Sequence, residues 1–205
     1  MATGRAYAGT FQDDPHGELD RKAQIMRSAV ECFGNLGYYG TSLQRIANQV
    51  GLTKPGLLHY IGSKEGLLNM VLTEMYDMET DRIVSDQSKA GPLRIPSVMR
   101  AIVAVNAQRP QLVHMFSTLS AEALSPEHPA HEYFRNRERE GVDAMMNIAW
   151  LVPDGIDLKT TIITAWSAMD GIQLRWLRSP GQDLNAMWAD CENTLFPLPV
   201  WEHYR

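Results

Sequence analysis

Apolar residues recur along this chain at intervals of three and four positions, with charged and polar residues between them. This spacing is typical of amphipathic helices, and no apolar–polar alternation persists long enough to indicate a strand. Proline and glycine residues separate the apolar stripes and mark the connections. The pattern therefore predicts an all-α fold, with helices at about residues 20–36, 64–84, 93–107, 110–124, 127–150, 157–178 and 183–196.

The segment between the first helix and the long helix that begins near residue 64 carries the signals of two short helices joined by a tight turn. Thr41 is expected to cap the first short helix, and Gln44 to complete a capping box with it. Gly51 follows the last apolar position, where a residue without a Cβ is favoured. Thr53 and Ser63 are expected to cap the next two helices. A helix–turn–helix with an exposed second helix has the geometry to enter a DNA major groove.

Small, aromatic and polar residues occupy characteristic positions in and just before this segment. They are Ala29, Phe33, Gly37-Tyr38-Tyr39, Thr41-Ser42, Ile46-Ala47, Gly51, Leu57 to Tyr60, and Ser63-Lys64-Glu65 with Leu67-Leu68. This pattern resembles the DNA-binding domain of TetR-family transcriptional regulators. Residues 1–19 are polar, contain glycine and proline and show no periodicity, which predicts a flexible arm. The resemblance implies a DNA-binding domain over 20–66 and a helical effector-binding and dimerisation domain over 67–205.

Charge is distributed unevenly along the chain. The net charge of −5 divides into −3 for residues 1–20, +5 for residues 21–64 and −7 for residues 65–205. A phosphate-binding surface needs local cation density, which a net-acidic chain can still present. The distribution therefore favours DNA binding by the N-terminal part alone, although chance clustering on a solvated face would give the same counts.

Candidate contacts with double-stranded DNA fall into two groups. Those expected to read base edges are Lys54, Gly56, Leu58, His59 and Tyr60. Those placed to contact phosphates are Tyr39, Thr41, Ser42, Arg45, Thr53 and Lys64. Capping alone would also explain Thr41 and Thr53, and burial in the core would explain Tyr60. Gly56 and Leu58 stand where the family often has Ser or Thr and Tyr.

The resemblance also implies a pocket for a small-molecule effector in the region after residue 85. Its expected lining is Met99, Val103, Asn106, His114, Met115, Phe116, Leu119, Met145, Trp166 and Met169. Further polar candidates for anchoring a ligand are Glu122, Asn147 and Asp170. Each apolar residue, taken singly, is more often part of a core than of a pocket.

The last two helices are apolar over more than one face, which indicates burial beyond their mutual contact. In TetR-like proteins this helix pair forms a four-helix bundle between two subunits, so we expect a homodimer that reads a palindromic operator. The expected interface residues are Ile172, Trp176, Leu184, Met187, Trp188 and Cys191. Packing of both faces inside one larger domain is the alternative.

Two other classes of function are weighed against a regulator. An all-α enzyme would need a catalytic motif, and the nearest approach to a metal cluster, His128, His131 and Glu132, is better explained as a solvated helix start. We expect no catalysis, metal or cofactor. A binding or scaffold protein with a purely structural helix–turn–helix is disfavoured by Lys54 and Lys64. Two distant cysteines, without a membrane span or signal peptide pattern, favour reduced thiols and a cytoplasmic location.

Overall fold

A computed structural model describes residues 15–205, and the side chains from Asp20 onward except that of Glu79. Over this range the chain is helical, with one isolated backbone bridge and no strand. The elements are α1 (Pro15–Gly40), α2 (Leu43–Gln49), α3 (Lys54–Ile61), α4 (Lys64–Met70), a π-helical segment (Val71–Asp77), α5 (Met78–Ser88), α6 (Ile95–Ala107), α7 (Pro110–Glu122), α8 (His131–Met146), α9 (Leu158–Leu177) and α10 (Leu184–Leu195). The all-α prediction is confirmed.

Most predicted helix boundaries agree with the structure to within a few residues. The first helix begins earlier than expected, at Pro15, so the last five positions of the predicted arm are helical. The arm before them, residues 1–14, lies outside the described residues. Helix α8 begins at His131, later than expected, because Pro126 and Pro129 lie in a series of turns before it.

One continuous helical path runs from Lys64 to Ser88 through the π-helical segment. The residues at both junctions, Val71 and Met78, keep right-handed helical backbone angles, so α4, the π-helical segment and α5 join without a break. A π-helical turn changes the direction of the side chains that follow it, and such turns are frequent at functional sites. This path connects the helix–turn–helix to the rest of the molecule.

Two clusters of buried side chains hold the fold together. The first joins α1 to α4 with α7, through residues such as Phe33, Leu57 and Met115. The second joins α6, α9 and α10, with Met99 and Trp188 almost fully buried. Helix α7 belongs to the first cluster, so the helix–turn–helix packs directly on the C-terminal region.

The helix caps correct one prediction. Ser42, not Thr41, caps α2: it has extended backbone angles and its hydroxyl accepts from the Arg45 N–H. Thr41 is buried, and its hydroxyl donates instead to the Gly37 carbonyl at 2.7 Å. The capping box is also wrong, because the Gln44 amide donates to Asn48.

The other helix starts follow the prediction. Thr53 caps α3 and Ser63 caps α4, each by accepting from the N–H three residues later. Gly51 has the positive φ, 68°, expected at the end of α2. The carboxylate of Glu65 lies in the first turn of α4, where its own backbone N–H and the hydroxyls of Tyr38 and Ser63 lower its pKa.

Candidate nucleic-acid interface and effector cavity

Helix α3 is fixed on one side and open on the other. Leu57 and Ile61 are buried in the first apolar cluster, so the orientation of the helix is set by packing. Lys54 and His59 are exposed, and Leu58 is half-buried. The outer face of α3 therefore presents a cation, an imidazole and an apolar side chain, the types expected to read base edges.

Tyr60 and Gly56 are held more closely by the protein than the sequence predicts. Tyr60 is half-buried and packs against the first cluster, with its ring edge-on to His59 at 5.8 Å. A Cβ built on Gly56 would lie 3.2 Å from the Thr53 hydroxyl oxygen. Gly56 therefore keeps the cap of α3 uncrowded, whether or not the helix lies close to DNA.

The cations of residues 21–64 separate into two groups. Lys22 forms an ion pair with Glu74 at 2.9 Å, and Arg21 donates to the Val50 carbonyl, so these charges are used within the protein. Arg27, Arg45 and Lys54 are exposed, and no described side chain forms an ion pair with any of them. The exposed positive charge within the helix–turn–helix itself therefore lies on α2 and α3, and Arg27 adds a further exposed cation on α1.

The residues expected to contact phosphates have different surroundings. Ser42 and Thr53 are exposed caps at helix N-termini, where N–H groups favour anions, and the Tyr39 side chain is 66% exposed. Lys64 is half-buried, with its ammonium 4.2 Å from the centre of the Tyr38 ring, and this burial lowers its pKa. Thr41 is wrong as a contact, since its hydroxyl and N–H both bond within the protein.

The turn between α1 and α2 is the joint between the two parts of the chain. Gly37 has φ 67° and ψ −177°, and the Glu122 carboxylate at the end of α7 fills the space where a Cβ would lie. One oxygen of Glu122 accepts from the Tyr38 N–H at 2.7 Å. The buried His128 places its Nε2 3.4 Å from the same oxygen, and burial lowers the pKa of its ring. Residues of α7 and of the loop after it thereby hold the helix–turn–helix in place.

A cavity of about 410 Å³ lies between the π-helical segment, α5, α6, α8 and α9. Its volume falls within the range of small-molecule sites. The lining residues are Tyr76, Thr80, Ile102, Arg137, Glu138, Val142, Ile163, Trp166, Ser167, Met169 and Asp170. A second depression, whose lining shares Thr80, Arg137 and Trp166, adjoins it and includes Met145.

The structure brings only some of the predicted pocket residues to this cavity. Trp166 and Met169 line the cavity, Met145 lines its neighbour, and Asp170 is the polar candidate that faces it. The remaining apolar candidates are buried in the two clusters and fill space instead of lining it: Met99, Val103, Met115, Phe116 and Leu119. His114 lines a different depression between α7 and α9, and Asn106 is a buried hydrogen-bond partner of Tyr76.

Sequence reasoning missed the α8 contribution to the cavity. Arg137 donates from Nε to Asp77 at 2.8 Å, and the Tyr133 hydroxyl donates to the other oxygen of Asp77, also at 2.8 Å. These bonds attach α8 to the end of the π-helical segment. The Arg137 guanidinium also lies over Tyr76 and Phe116, whose rings stack with their centres 3.9 Å apart.

The histidine pair near residue 130 has structural roles. His128 Nδ1 accepts from the Ala130 N–H at 3.1 Å, and His131 Nδ1 lies 2.8 Å from the Ala123 carbonyl oxygen. Both rings therefore stabilise the turns before α8. Among the described side chains, no three metal-ligating residues form a cluster, and no described helix is long and apolar enough to cross a membrane. Cys32 and Cys191 are both free thiols.

Comparison with known proteins identifies the N-terminal domain. Residues 25–71 match the family model described as bacterial regulatory proteins, tetR family. Residues 25–71 are therefore similar to the DNA-binding domain of TetR-family regulators. The matched region spans most of α1 and all of α2, α3 and α4.

Curated relatives match part of the chain. The HTH-type transcriptional regulator RutR of Escherichia coli K12 is 31% identical over 97 residues, which cover 47% of this chain and 46% of RutR. The HTH-type transcriptional repressor AcnR of Corynebacterium jeikeium is 29% identical over 76 residues, 37% of this chain and 39% of AcnR. The chain thus matches less than half the length of these relatives.

Solved structures share the fold over most of the chain. A FadR regulator from Bacillus subtilis in complex with stearoyl-CoA has a TM-score of 0.65 at 16% identity, covering 84% of this chain and 96% of that one. AibR in complex with isovaleryl coenzyme A and operator DNA has a TM-score of 0.61 at 21% identity, covering 86% and 98%. At these identities the likeness establishes the fold, including the larger helical domain.

Two residues of the predicted dimer interface are buried within the subunit. Leu184 and Trp188 are each 1% exposed and lie in the second apolar cluster of one subunit, so they cannot contact a partner. Trp176 is half-buried, and its indole N–H donates to the Gln182 carbonyl at 3.0 Å. Met187 is half-buried and is not among the residues that pack against the second apolar cluster.

Proposed function

We propose that this chain is a homodimeric repressor of the TetR family that binds a palindromic DNA operator and is released from it by a small-molecule effector. The proposal rests above all on the surroundings of α3. Its apolar residues, Leu57 and Ile61, are buried, while Lys54 and His59 remain accessible beside the exposed Arg45 of α2. A helix held in this way, with its polar side outward, suits the major groove.

The path between the two expected sites supports control by an effector. The helical path from Lys64 to Ser88 begins one residue after the Ser63 cap, directly beyond α3, and supplies Tyr76 and Thr80 to the cavity. A ligand that binds one arrangement of this path more tightly than another would shift the spacing of the two recognition helices. The same coupling requires that operator DNA weaken effector binding by an equal factor.

A dimer formed through the last two helices of each chain would have the symmetry needed to bind a palindromic operator. Ile172, Trp176, Met187 and Cys191 are half-buried in one subunit, so each retains apolar surface that a second copy could cover. A two-fold axis between the pairs would place two α3 helices in successive major grooves. A location in the cytoplasm, where the DNA would be, is part of the proposal.

Selection of binding sites from random duplex DNA by the purified chain tests this function. We expect enrichment of a palindrome bound by two chains. A variant in which Lys54 and Leu58 are both replaced by alanine should select a different or degenerate site, while the exposed control variant Ser85→Ala should select the same site. Failure to enrich any sequence, with and without added ligands, would reject sequence-specific binding and favour a scaffold that keeps the motif for its structure.

A further inference from the structure

The charges that face the cavity are predominantly negative. Arg137 is the cation among its described lining residues, while Glu138 and Asp170 are carboxylates. Arg137 is already bound to Asp77, which also accepts from Tyr133. The positive charge of Arg137 is therefore balanced within the protein, and the two lining carboxylates share no further cation among the described lining residues.

Asp170 is the lining residue that most strongly determines which ligand charge the cavity favours. Its side chain is accessible where α9 lines the cavity, and within the described residues no hydrogen bond or ion pair holds its carboxylate. Desolvation by the surrounding helices raises its pKa, opposed by Arg137 and assisted by the negative charge of Glu138. A carboxylate in these surroundings is stabilised by a cation brought into the cavity.

The rest of the lining is apolar or aromatic and lies beside Asp170. Trp166 stands one helical turn before Asp170 on α9 and contributes an aromatic surface to both the cavity and its neighbour. Tyr76 is less accessible, because Phe116 stacks on its ring and Arg137 lies over it. An apolar wall is completed by Ile102, Val142 and Met169.

We propose that the effector is an amphipathic organic cation, with a quaternary or alkyl ammonium group against Asp170, Glu138 and the indole of Trp166, and an apolar portion against Ile102, Val142 and Met169. The inference rests on the proposed function, since it names the ligand class of the same cavity. The indole adds a cation–π contact at the charged end of the ligand. An anionic ligand would meet an arginine whose charge Asp77 already balances, and it would lie near two carboxylates.

Calorimetric titration with three probes of matched chain length tests the ligand class: decyltrimethylammonium, decanol and decanoate. We expect the ammonium to bind the full-length protein at least about tenfold more tightly than the alcohol, because the two carboxylates attract a positive charge. Decanoate should bind more weakly than either, because the same carboxylates repel its negative charge. Equal or tighter binding of decanoate, or no measurable binding of the ammonium, would overturn the proposal.

Two variants locate the site. Asp170→Asn keeps the shape of the side chain and should lower ammonium affinity at least about tenfold while leaving decanol affinity unchanged. Trp166→Leu should weaken the ammonium more than decanol, because it removes the aromatic face and keeps an apolar side chain. The matched control Asp154→Asn, in an exposed turn, should change neither affinity. Ammonium affinity that is the same in Asp170→Asn and the unaltered protein would refute the assignment.

The outcomes separate this inference from the proposed function. Release of the selected DNA by decanoate but not by the ammonium would leave the repressor intact and reject the cationic ligand. Binding of the ammonium at Asp170 by a chain that selects no DNA sequence would support the cationic ligand and reject the proposed DNA-binding function.

Discussion

Replacement of Gly37 by alanine should destabilise the joint between the helix–turn–helix and the rest of the molecule. The backbone there has φ 67° and ψ −177°, a region essentially restricted to glycine, and alanine in it costs about 1–3 kcal/mol. The new Cβ would also overlap one Glu122 oxygen and lie 2.6 Å from its carboxyl carbon. The carboxylate would have to move.

Movement of the Glu122 carboxylate would lower the free energy of unfolding further. Its other oxygen accepts from the Tyr38 N–H at 2.7 Å, and a hydrogen bond to a charged group contributes about 1.5–3 kcal/mol. Together the two effects predict a loss of about 2.5–6 kcal/mol, a large share of the roughly 5–15 kcal/mol that stabilises a typical domain. Urea unfolding of the variant and the unaltered protein measures the loss.

A double-mutant cycle separates the two effects. With Glu122 replaced by alanine, Gly37→Ala should cost only the backbone strain, about 1–3 kcal/mol. Gly51→Ala is a control, because Gly51 also has positive φ, 68°, and nothing lies within 4 Å of the place that a Cβ would take there. An equal cost of Gly37→Ala with and without Glu122 would refute the reasoning.

Three further predictions concern other parts of the molecule. Gly66→Ala would place a Cβ 2.5 Å from the Ile61 carbonyl oxygen, so it should lower the free energy of unfolding in urea by about 1–3 kcal/mol. Gly141→Ala is the control, because its Cβ would lie 3.6 Å from Trp166, and it should be neutral or stabilising. Equal effects of the two substitutions would contradict the close approach at Gly66. Burial lowers the pKa of His128 in the folded protein, so the unfolded state binds the proton more readily. The free energy of unfolding should therefore fall as the pH drops below about 6.5, and His128→Asn should flatten this pH dependence in urea unfolding. An unaltered pH profile in His128→Asn would contradict this role of the histidine. Met187→Glu should convert the dimer to monomers in sedimentation velocity, with Ser85→Glu as control, and a persistent dimer would place the interface elsewhere.

Local signals in the sequence are sufficient where the structure depends on neighbours along the chain. Thr53 and Ser63 cap their helices because a hydroxyl and an N–H three residues later are all that the bond needs. Thr41 has the same local pattern but a different role, since the turn at Gly37 brings a carbonyl within reach of its hydroxyl. The assignment of the cap therefore depends on a backbone angle that the residue types around Thr41 do not specify.

The cavity depends on interactions that periodicity does not encode. Helical spacing correctly identifies the apolar faces that contain Met99, Met115 and Trp166, but it cannot distinguish a face filled by another helix from one beside a void. Arg137 occurs among many charged residues of α8 and resembles a solvated position. Its partner, Asp77, is 60 residues away, so their ion pair is visible only in the folded chain.

The most direct test of DNA binding by α2 and α3 is the salt dependence of affinity for the selected duplex. Plots of log affinity against log salt should be steep for the unaltered protein, and Arg45→Ala should reduce the slope by about one for each phosphate that Arg45 neutralises. Lys22→Ala is the matched control, since Lys22 is already paired with Glu74, and its slope should not change. An unchanged slope in Arg45→Ala, or an equal reduction in Lys22→Ala, would contradict the placement of the DNA surface on α2 and α3.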